Sequence, residues 1–173
     1  AIVSTIKAAI FLDSTRVGPI QSIEVDVHKA IGKTVLYQQT WEGYPAQKEL
    51  TLTNGKKGGL TYGDGEWQGF TKDIDVTVDF ERREEIKSVA MNFMQVPGPG
   101  VYFPGEFVVS VSDNGKTFRE IGIVKNDIGT DDPKLKFKKF ELKLPKSQAA
   151  RFVRIKATNP MKGYLFTDEI IIY

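Results

Sequence analysis

The sequence contains no cysteine and a single histidine, His28, and these two scarcities remove several kinds of chemistry. Without cysteine the chain has no disulfide, no thiolate metal site and no cysteine nucleophile. A catalytic site built from histidine and a carboxylate would depend wholly on His28, which ends a run of alternating valines that includes Val25 and Val27. A structural or surface role is the simpler interpretation of this histidine.

The sequence also lacks a large excess of charge of one sign. It has 24 Lys and Arg residues and 22 Asp and Glu residues, for a net charge of +2. That small excess gives no electrostatic reason to expect nucleic acid as a partner, which would need a clustered basic face. No apolar run approaches the roughly 18 residues of a membrane helix, so no membrane insertion is expected. No signal peptide is visible. Ala1 begins inside an apolar, strand-like run, which favours a processed or excised piece.

The motifs of common hydrolases and nucleotide-binding proteins are absent as well. There is no Gly-x-Ser-x-Gly elbow, and the glycine-rich segment 55–69 lacks the Gly-Lys-Ser/Thr of a phosphate loop. Asp73, Asp75 and Asp79 lie on or beside one predicted strand, where Asp75 and Asp79 share the outward face. Carboxylates cleave glycosides only across a cleft, so the solvent-facing side of a strand is the simpler interpretation. We predict no catalytic residues.

What the chain does have is apolar side chains that alternate with polar ones. In the central stretch 50–80, Leu50 and Leu52 form a short apolar run before the Asn54-Gly55 turn. A glycine-dense loop follows, and then a strand begins at Ile74. About eight such runs occur at short spacing, with no long helical period. The sequence therefore predicts an all-β, antiparallel β-sandwich.

Two further segments have clear turn chemistry. The run 95–105, QVPGPGVYFPG, has three prolines and predicts a second long loop. Asn114-Gly115 predicts a tight hairpin turn with positive φ at both central residues. Residues 1–30 read as two strands around a turn at 13–19. A lone hairpin is marginally stable, so these strands either form a unit of their own or belong to the main sandwich, and the sequence leaves both alternatives open.

Several motifs follow one another in an order that resembles a known family. They are a Leu-Thr-Asn-Gly turn at 52–55, a Trp-x-Gly loop at 67–69, an Asp-rich alternating strand at 74–80, a Ser-Asp-Asn-Gly hairpin with Phe118, an Ala-Arg-Phe-Val-Arg strand at 150–154 and a closing Asp-Glu-Ile at 168–170. Together they resemble a discoidin-type domain, the coagulation-factor C-type, galactose-binding-like β-sandwich. The resemblance covers 31–173 and is strongest to the copy at the C-terminus of bacterial chitobiases and other β-hexosaminidases.

The resemblance implies a jelly-roll sandwich over 31–173. It also implies that residues 1–30 are either the C-terminal strands of a preceding immunoglobulin-like module or a lead-in hairpin. Sugar binding needs aromatic faces and a few polar groups. The loop aromatics that could supply those faces are Trp41, Tyr44, Tyr62, Trp67 and Tyr102. The alternative is that these rings plug the end of the sandwich, since large aromatics are usually packed.

Family members often hold a structural calcium between the Asp-Gly turn and the final strand. The matching residues are Asn54, which replaces the usual Asp, and Glu169, with loop carbonyls between 52 and 59. Calcium takes six to eight oxygen ligands and favours negative charge, so the substitution weakens the expected site. The alternative is that Asn54 only stabilises the turn.

The function that the resemblance implies is that of a non-catalytic carbohydrate-binding module of a secreted bacterial glycoside hydrolase. Such a module would bind glycans of the galactose or N-acetylhexosamine type weakly and hold the catalytic domain of the same chain near its substrate. Its expected location is the periplasm, the cell surface or the medium. The alternative is a structural spacer that packs on the catalytic domain and binds no ligand.

Overall fold

A computed structural model describes the backbone of residues 2–173 and the side chains of 5–22 and 26–173, so Ala1 lies outside the described residues. Nine strands and one 3₁₀ helix follow one another along the chain. The strands are β1 (Ile2–Leu12), β2 (Thr15–Val27), β3 (Thr34–Tyr37), β4 (Gln68–Phe70), β5 (Ile74–Gln95), β6 (Glu106–Ser112), β7 (Arg119–Lys125), β8 (Lys136–Ala157) and β9 (Leu165–Ile172), and the helix spans Lys48–Thr53. No described helix is long and apolar enough to cross a membrane.

Strands β3 to β9 form one antiparallel sheet in the order β4-β9-β5-β8-β6-β7, with β3 also paired to β5. The two longest strands, β5 and β8, have 22 residues each and pair with each other along most of their length. The first half of β5 pairs with β3 and the end of β8, and its second half pairs with β9 and the start of β8. The register shifts between Asp79 and Glu84, where Glu81 has a φ of 68°. The sheet therefore folds over on itself and makes the predicted antiparallel sandwich.

The core lies between the two layers and follows the alternation of the sequence. Ile74, Val76 and Val78 of β5 are fully buried, and residues of β6, β8 and β9 pack with them in one cluster. Phe140 is 0 % exposed and contacts Phe93, Phe103 and Phe107 at ring-centroid distances of 5.3, 5.9 and 6.5 Å. Burial of this apolar surface is the main stabilising contribution to the sandwich.

Strands β1 and β2 form a separate two-stranded sheet. Every residue from 5 to 22 is exposed, including the apolar Ile6, Ile10 and Leu12. Where the chain enters the sandwich it is held by the C-terminus: the Lys29 N–H donates to the Ile172 carbonyl at 2.8 Å, and the Tyr173 hydroxyl donates to the Asp26 carboxylate. Among the described residues, this two-stranded sheet, here called the β1–β2 ribbon, is therefore held to the sandwich only at the end of β2 and the residues just after it.

The structure corrects two local expectations. Leu50 and Leu52 lie in the 3₁₀ helix and not in an extended run, and only Leu52 points into the core while Leu50 is 69 % exposed. In the Asn114-Gly115 turn only Gly115 has positive φ. The Asn114 side chain instead accepts hydrogen bonds from the N–H groups of Lys116 and Thr117, which is a different way of closing the turn.

The outward carboxylates of β5 are paired across the sheet. Arg154 donates two hydrogen bonds of 2.7 Å to Asp75, and Arg151 donates two of 2.9 Å to Asp79. This paired geometry agrees with the structural interpretation of the aspartates, because a planar guanidinium matches a carboxylate on a neighbouring strand.

The Asp79–Arg151 pair predicts a specific dependence of stability on pH. The hydrogen bonds from Arg151 hold the pKa of Asp79 below its usual range. The contribution of the pair is therefore present above the unfolded pKa of about 3.9 and is lost as pH falls through the lower folded pKa. We expect Asp79→Asn to reduce the free energy of unfolding at neutral pH, and this deficit to vanish in acid. Urea unfolding at several pH values, with Asp131→Asn as control, tests it; a deficit that grows in acid would contradict it.

Candidate functional site

The glycine-rich loop after the 3₁₀ helix is held against β9 by two adjacent buried carboxylates, Asp168 and Glu169, each 2 % exposed. Glu169 accepts hydrogen bonds from the Gly55 N–H at 3.1 and 3.2 Å, and its Oε1 lies 3.1 Å from Nε2 of His28. Burial raises the pKa of Glu169, and the hydrogen bond from His28 acts in the opposite direction. His28 therefore has a buried structural role in the lead-in to the sandwich.

The two predicted calcium ligands, Asn54 and Glu169, have their side-chain oxygens hydrogen-bonded within the protein. Both Glu169 oxygens face N–H donors, and the side-chain Oδ1 of Asn54 accepts a hydrogen bond from the Lys56 N–H at 2.8 Å. The residues that the structure describes hold no group of three or more His, Cys, Asp or Glu side chains arranged for a metal. Calcium needs several oxygen atoms turned toward one point. Asn54 is thus used as a turn residue, followed by Gly55 with a φ of 76°.

Removal of metal ions tests whether Asn54 and Glu169 bind calcium. Because Glu169 already accepts hydrogen bonds from Gly55 and lies against His28, we expect EDTA to leave the melting temperature of the protein unchanged, and added calcium not to raise it. Differential scanning calorimetry with and without EDTA measures this. A melting temperature that falls in EDTA and recovers with calcium would show instead that calcium binds at Asn54 and Glu169.

Asp168 points away from this pair and accepts two hydrogen bonds, from the Gly58 N–H at 2.8 Å and from Nδ2 of Asn92 at 3.1 Å. Burial raises the pKa of Asp168 to about 6. The carboxylate faces a pocket of about 250 Å³ on the outer side of the sheet, here called the Phe137 pocket. Its lining includes Gly58, Trp67, Asn92, Phe137, Lys139 and Asp168.

Trp67, one of the predicted sugar-binding residues, is only 2 % exposed and does not offer an open ring face. Its Nε1 donates to the Gly59 carbonyl at 3.0 Å. Gly58 has no room for a side chain, because a Cβ there would overlap the Trp67 ring. Phe137 stacks on Trp67 with centroids 5.8 Å apart and is itself 47 % exposed. The indole therefore supports a second ring that does reach the surface.

Tyr44 and Tyr62 pack against each other and against Tyr164 and Phe166, around the start of β9. Tyr44 packs edge-to-face on Tyr62, Tyr164 and Phe166 at 4.9–5.6 Å, and Tyr62 stacks on Phe166 at 5.0 Å. All of these tyrosines are partly buried. This tyrosine cluster (Tyr44, Tyr62, Tyr164 and Phe166) ties the loops to the outer face of the sheet, and its rings present edges more than open faces.

The other two predicted aromatics lie elsewhere. Trp41 is partly buried and packs edge-to-face on Tyr37 with centroids 5.1 Å apart, beside the main core. Tyr102 is partly buried next to Gly163, where a Cβ would overlap both the Tyr102 ring and the Gly100 carbonyl. The five predicted residues therefore do not line one pocket. Trp67 packs in the same hydrophobic group as Tyr44 and Tyr62 of the tyrosine cluster, whereas Trp41 and Tyr102 lie apart from it.

The larger pocket, of about 500 Å³, lies where the loops after β3, β4 and β8 meet, and we call it the Asn159 pocket. Its polar lining includes Gln39, Thr71, Lys72, Asp73, Thr158, Asn159 and Lys162. Asn159 is fixed by three hydrogen bonds: its N–H donates to Asp73 at 2.7 Å, and Nδ2 donates to the carbonyls of Thr71 and Gly163. Its Oδ1 is buried and has no partner among the described residues. This oxygen is a buried, unused acceptor on a residue that lines the pocket.

Sequence reasoning missed both Asn159 and Phe137. Asn159 precedes Pro160 and reads as a turn residue. Phe137 had a signal, because Phe140, Leu142 and Leu144 set the inward phase of β8 and an apolar residue at 137 falls on the outward phase. An apolar ring on the polar face of a strand is a feature worth explaining.

The sequence model of the F5/8 type C domain matches residues 33–170. No curated protein matches the chain. Among solved structures, a chitosan-binding module of a chitosanase/glucanase from Paenibacillus sp. IK-5 is 12% identical with a TM-score of 0.60, over 86% of this chain and 99% of that one. A CBM32 module of Clostridium perfringens in complex with GalNAc-β-1,3-galactose is 18% identical with a TM-score of 0.53, over 80% and 93%.

A third structure places a similar fold inside a longer protein. The GH29 fucosidase of Ruminococcus gnavus, in complex with fucose, is 13% identical with a TM-score of 0.61. The match covers 85% of this chain and 26% of the fucosidase. At these identities the likeness is one of fold, a galactose-binding-like β-sandwich, and the ligand of each relative is its own.

Proposed function

The chain belongs to the F5/8 type C domain family, and from that premise we propose that it is a non-catalytic carbohydrate-binding module. The observation that carries the proposal is the Asn159 pocket. It is lined by threonine hydroxyls, lysine amines and Asn159, whose buried amide oxygen has no partner among the described residues, around a cavity of about 500 Å³. Sugar hydroxyls are recognised by such mixed donors and acceptors. The chitosan-binding module and the CBM32 module that holds GalNAc-β-1,3-galactose support the choice of ligand class.

The described residues also bear on whether the module is an enzyme. The carboxylates beside the Asn159 pocket are committed to the protein: Asp73 accepts the Asn159 N–H, and Asp75 pairs with Arg154 and, at 3.5 Å, with Lys156. Acid/base cleavage of a glycoside needs two free carboxyl groups across the bond. We infer that the pocket binds and does not cleave.

We further propose that the parent protein is a bacterial glycoside hydrolase of the chitobiase or β-hexosaminidase type, exported to the periplasm, the cell surface or the medium. The module would then act by effective concentration, holding the catalytic domain of the same chain near glycans of the galactose or N-acetylhexosamine type. In this proposal β1 and β2 are the last strands of a preceding immunoglobulin-like module. The exposed Ile6, Ile10 and Leu12 of the ribbon support this, because apolar side chains on one face of a sheet need a partner layer.

The second candidate function is a structural spacer that packs on the catalytic domain and binds no sugar. The tyrosine cluster favours it, since Tyr44 and Tyr62 pack against the protein. The spacer hypothesis expects no affinity for any glycan and a contact surface on the neighbouring domain.

A glycan-array screen followed by calorimetric titration distinguishes the two functions. We expect wild-type protein to bind at least one neutral glycan, and Lys162→Ala with Lys72→Ala to weaken that binding about tenfold or more. Lys146→Ala, an exposed lysine outside the described pockets, is the matched control and should bind as wild type. No binding at millimolar sugar would favour the spacer; binding that survives the double substitution would move the site away from the Asn159 pocket.

A further inference from the structure

We propose that the Phe137 pocket is a second sugar-binding site, separate from the Asn159 pocket and placed on the outer face of the sheet. It would take a single neutral sugar residue. The inference shares with the proposed function the premise that the module binds carbohydrate, and it does not depend on the Asn159 pocket being the other site.

The first reason is an exposed aromatic ring that the protein holds rigidly. Phe137 is 47 % exposed although it lies within β8, opposite the buried Met94 of β5. Its ring stacks on Trp67 at an interplanar angle of 23°, and Trp67 is itself fixed by the hydrogen bond to Gly59. A supported ring loses little conformational entropy on binding, so it is a suitable platform for the C–H face of a sugar.

The second reason is a buried carboxylate beside that ring. Asp168 is 2 % exposed, and each of its oxygens accepts one hydrogen bond, from Gly58 and from Asn92. A carboxylate oxygen has two lone pairs, so each oxygen keeps an acceptor position after these bonds. Two oxygens held side by side in this way can accept from two neighbouring hydroxyls of a sugar ring. Sugar recognition requires this combination of an aromatic ring face and fixed hydrogen-bond acceptors beside it.

The third reason is charge and size, which narrow the ligand. Lys57, Lys138 and Lys139 surround the pocket and outnumber Asp168, so a cationic amino sugar is disfavoured. Lys138 pairs with Asp127, and Lys139 lies 3.8 Å from Glu141, which leaves little net attraction for an anion. The volume of about 250 Å³ is below the roughly 300–1,000 Å³ of sites for drug-sized ligands. One uncharged ring fits these limits better than an oligosaccharide.

Two-dimensional ¹H–¹⁵N NMR on the whole chain tests the proposal, with galactose, N-acetylgalactosamine and fucose as the neutral probes and glucosamine as the cationic one. We expect a neutral probe to shift the Gly58 amide and the Asn92 side-chain amide. Phe137→Leu, which keeps an apolar side chain and removes the aromatic face, should weaken that response about tenfold. Lys146→Ala, the exposed lysine outside both pockets, should leave it unchanged.

The outcomes separate the two sites. Shifts confined to the residues of the Asn159 pocket, or shifts at Gly58 that survive Phe137→Leu, would overturn the second site and leave the proposed function intact. Shifts at Gly58 and Asn92 alone would support the second site and move the function to it. No shift with any probe would overturn both. A stronger response to glucosamine than to the neutral sugars would overturn the assignment of ligand class.

Discussion

Replacing His28 with alanine is expected to lower the free energy of unfolding by about 3–5 kcal/mol. His28 and Glu169 have side chains that are 1 % and 3 % exposed, with Nε2 and Oε1 3.1 Å apart. Alanine removes the imidazole donor and leaves the Glu169 carboxylate buried beside the Gly55 N–H. An uncompensated buried carboxylate is costly, because it has lost its hydration without a replacement. Chemical denaturation followed by tryptophan fluorescence measures the change.

Two control variants identify the cause of that loss. His28→Gln retains an N–H donor and should restore part of the stability, whereas a purely steric role of the imidazole would give no such recovery. Lys33→Ala removes one partner of the Lys33–Glu81 pair, whose side chains are 31 % and 75 % exposed, and should cost no more than about 1 kcal/mol. Equal losses in His28→Ala and Lys33→Ala would contradict the assignment of a buried pair.

The second large effect is expected at the centre of the core, where Phe140→Ala should also cost about 3–5 kcal/mol. Phe140 is 0 % exposed and lies among Phe93, Phe103 and Phe107, which cannot all move inward to fill the space. The loss combines the missing transfer of apolar surface with the cavity that remains. The measurement is the midpoint of urea unfolding, or the absence of a folded state if the variant fails to fold.

The matched control for this prediction lies three residues away on the same strand. Phe137→Ala removes the same side chain from the outward face, where the ring is 47 % exposed and contacts Trp67. Its cost should be about 1 kcal/mol or less, the size of one surface aromatic pair. If Phe137→Ala proved as destabilising as Phe140→Ala, the outward placement of Phe137 would be wrong.

The strands could be predicted from the sequence because alternation is a local property. Ile74, Val76 and Val78 are buried as their spacing predicts, and the order of motifs from the Asn54-Gly55 turn to Glu169 indicates the family. The 3₁₀ helix at 48–53 was not predicted, because two leucines at a spacing of two also fit an extended strand. Tertiary packing decides between the helical and the extended conformation.

The pockets could not be predicted in the same way, because they join residues that are distant in the chain. Asp168 meets Gly58 and Asn92, which precede it by 110 and 76 residues. Aromatic residues in loops look available for a ligand, yet Tyr44 and Tyr62 use each other and Phe166 to fix those loops. Whether a ring packs or remains open depends on which strands are neighbours, and a single sequence does not give that pairing.

The hydrogen bond from the Lys29 N–H to the Ile172 carbonyl has a mechanical consequence. Lys29, where the chain enters the sandwich, and Ile172, at the end of the last strand, lie side by side. A pulling force between partners attached at the two ends would act on this contact and on His28–Glu169 first, and little of it would pass through the core. The core of the sandwich would keep its packing until this contact opened.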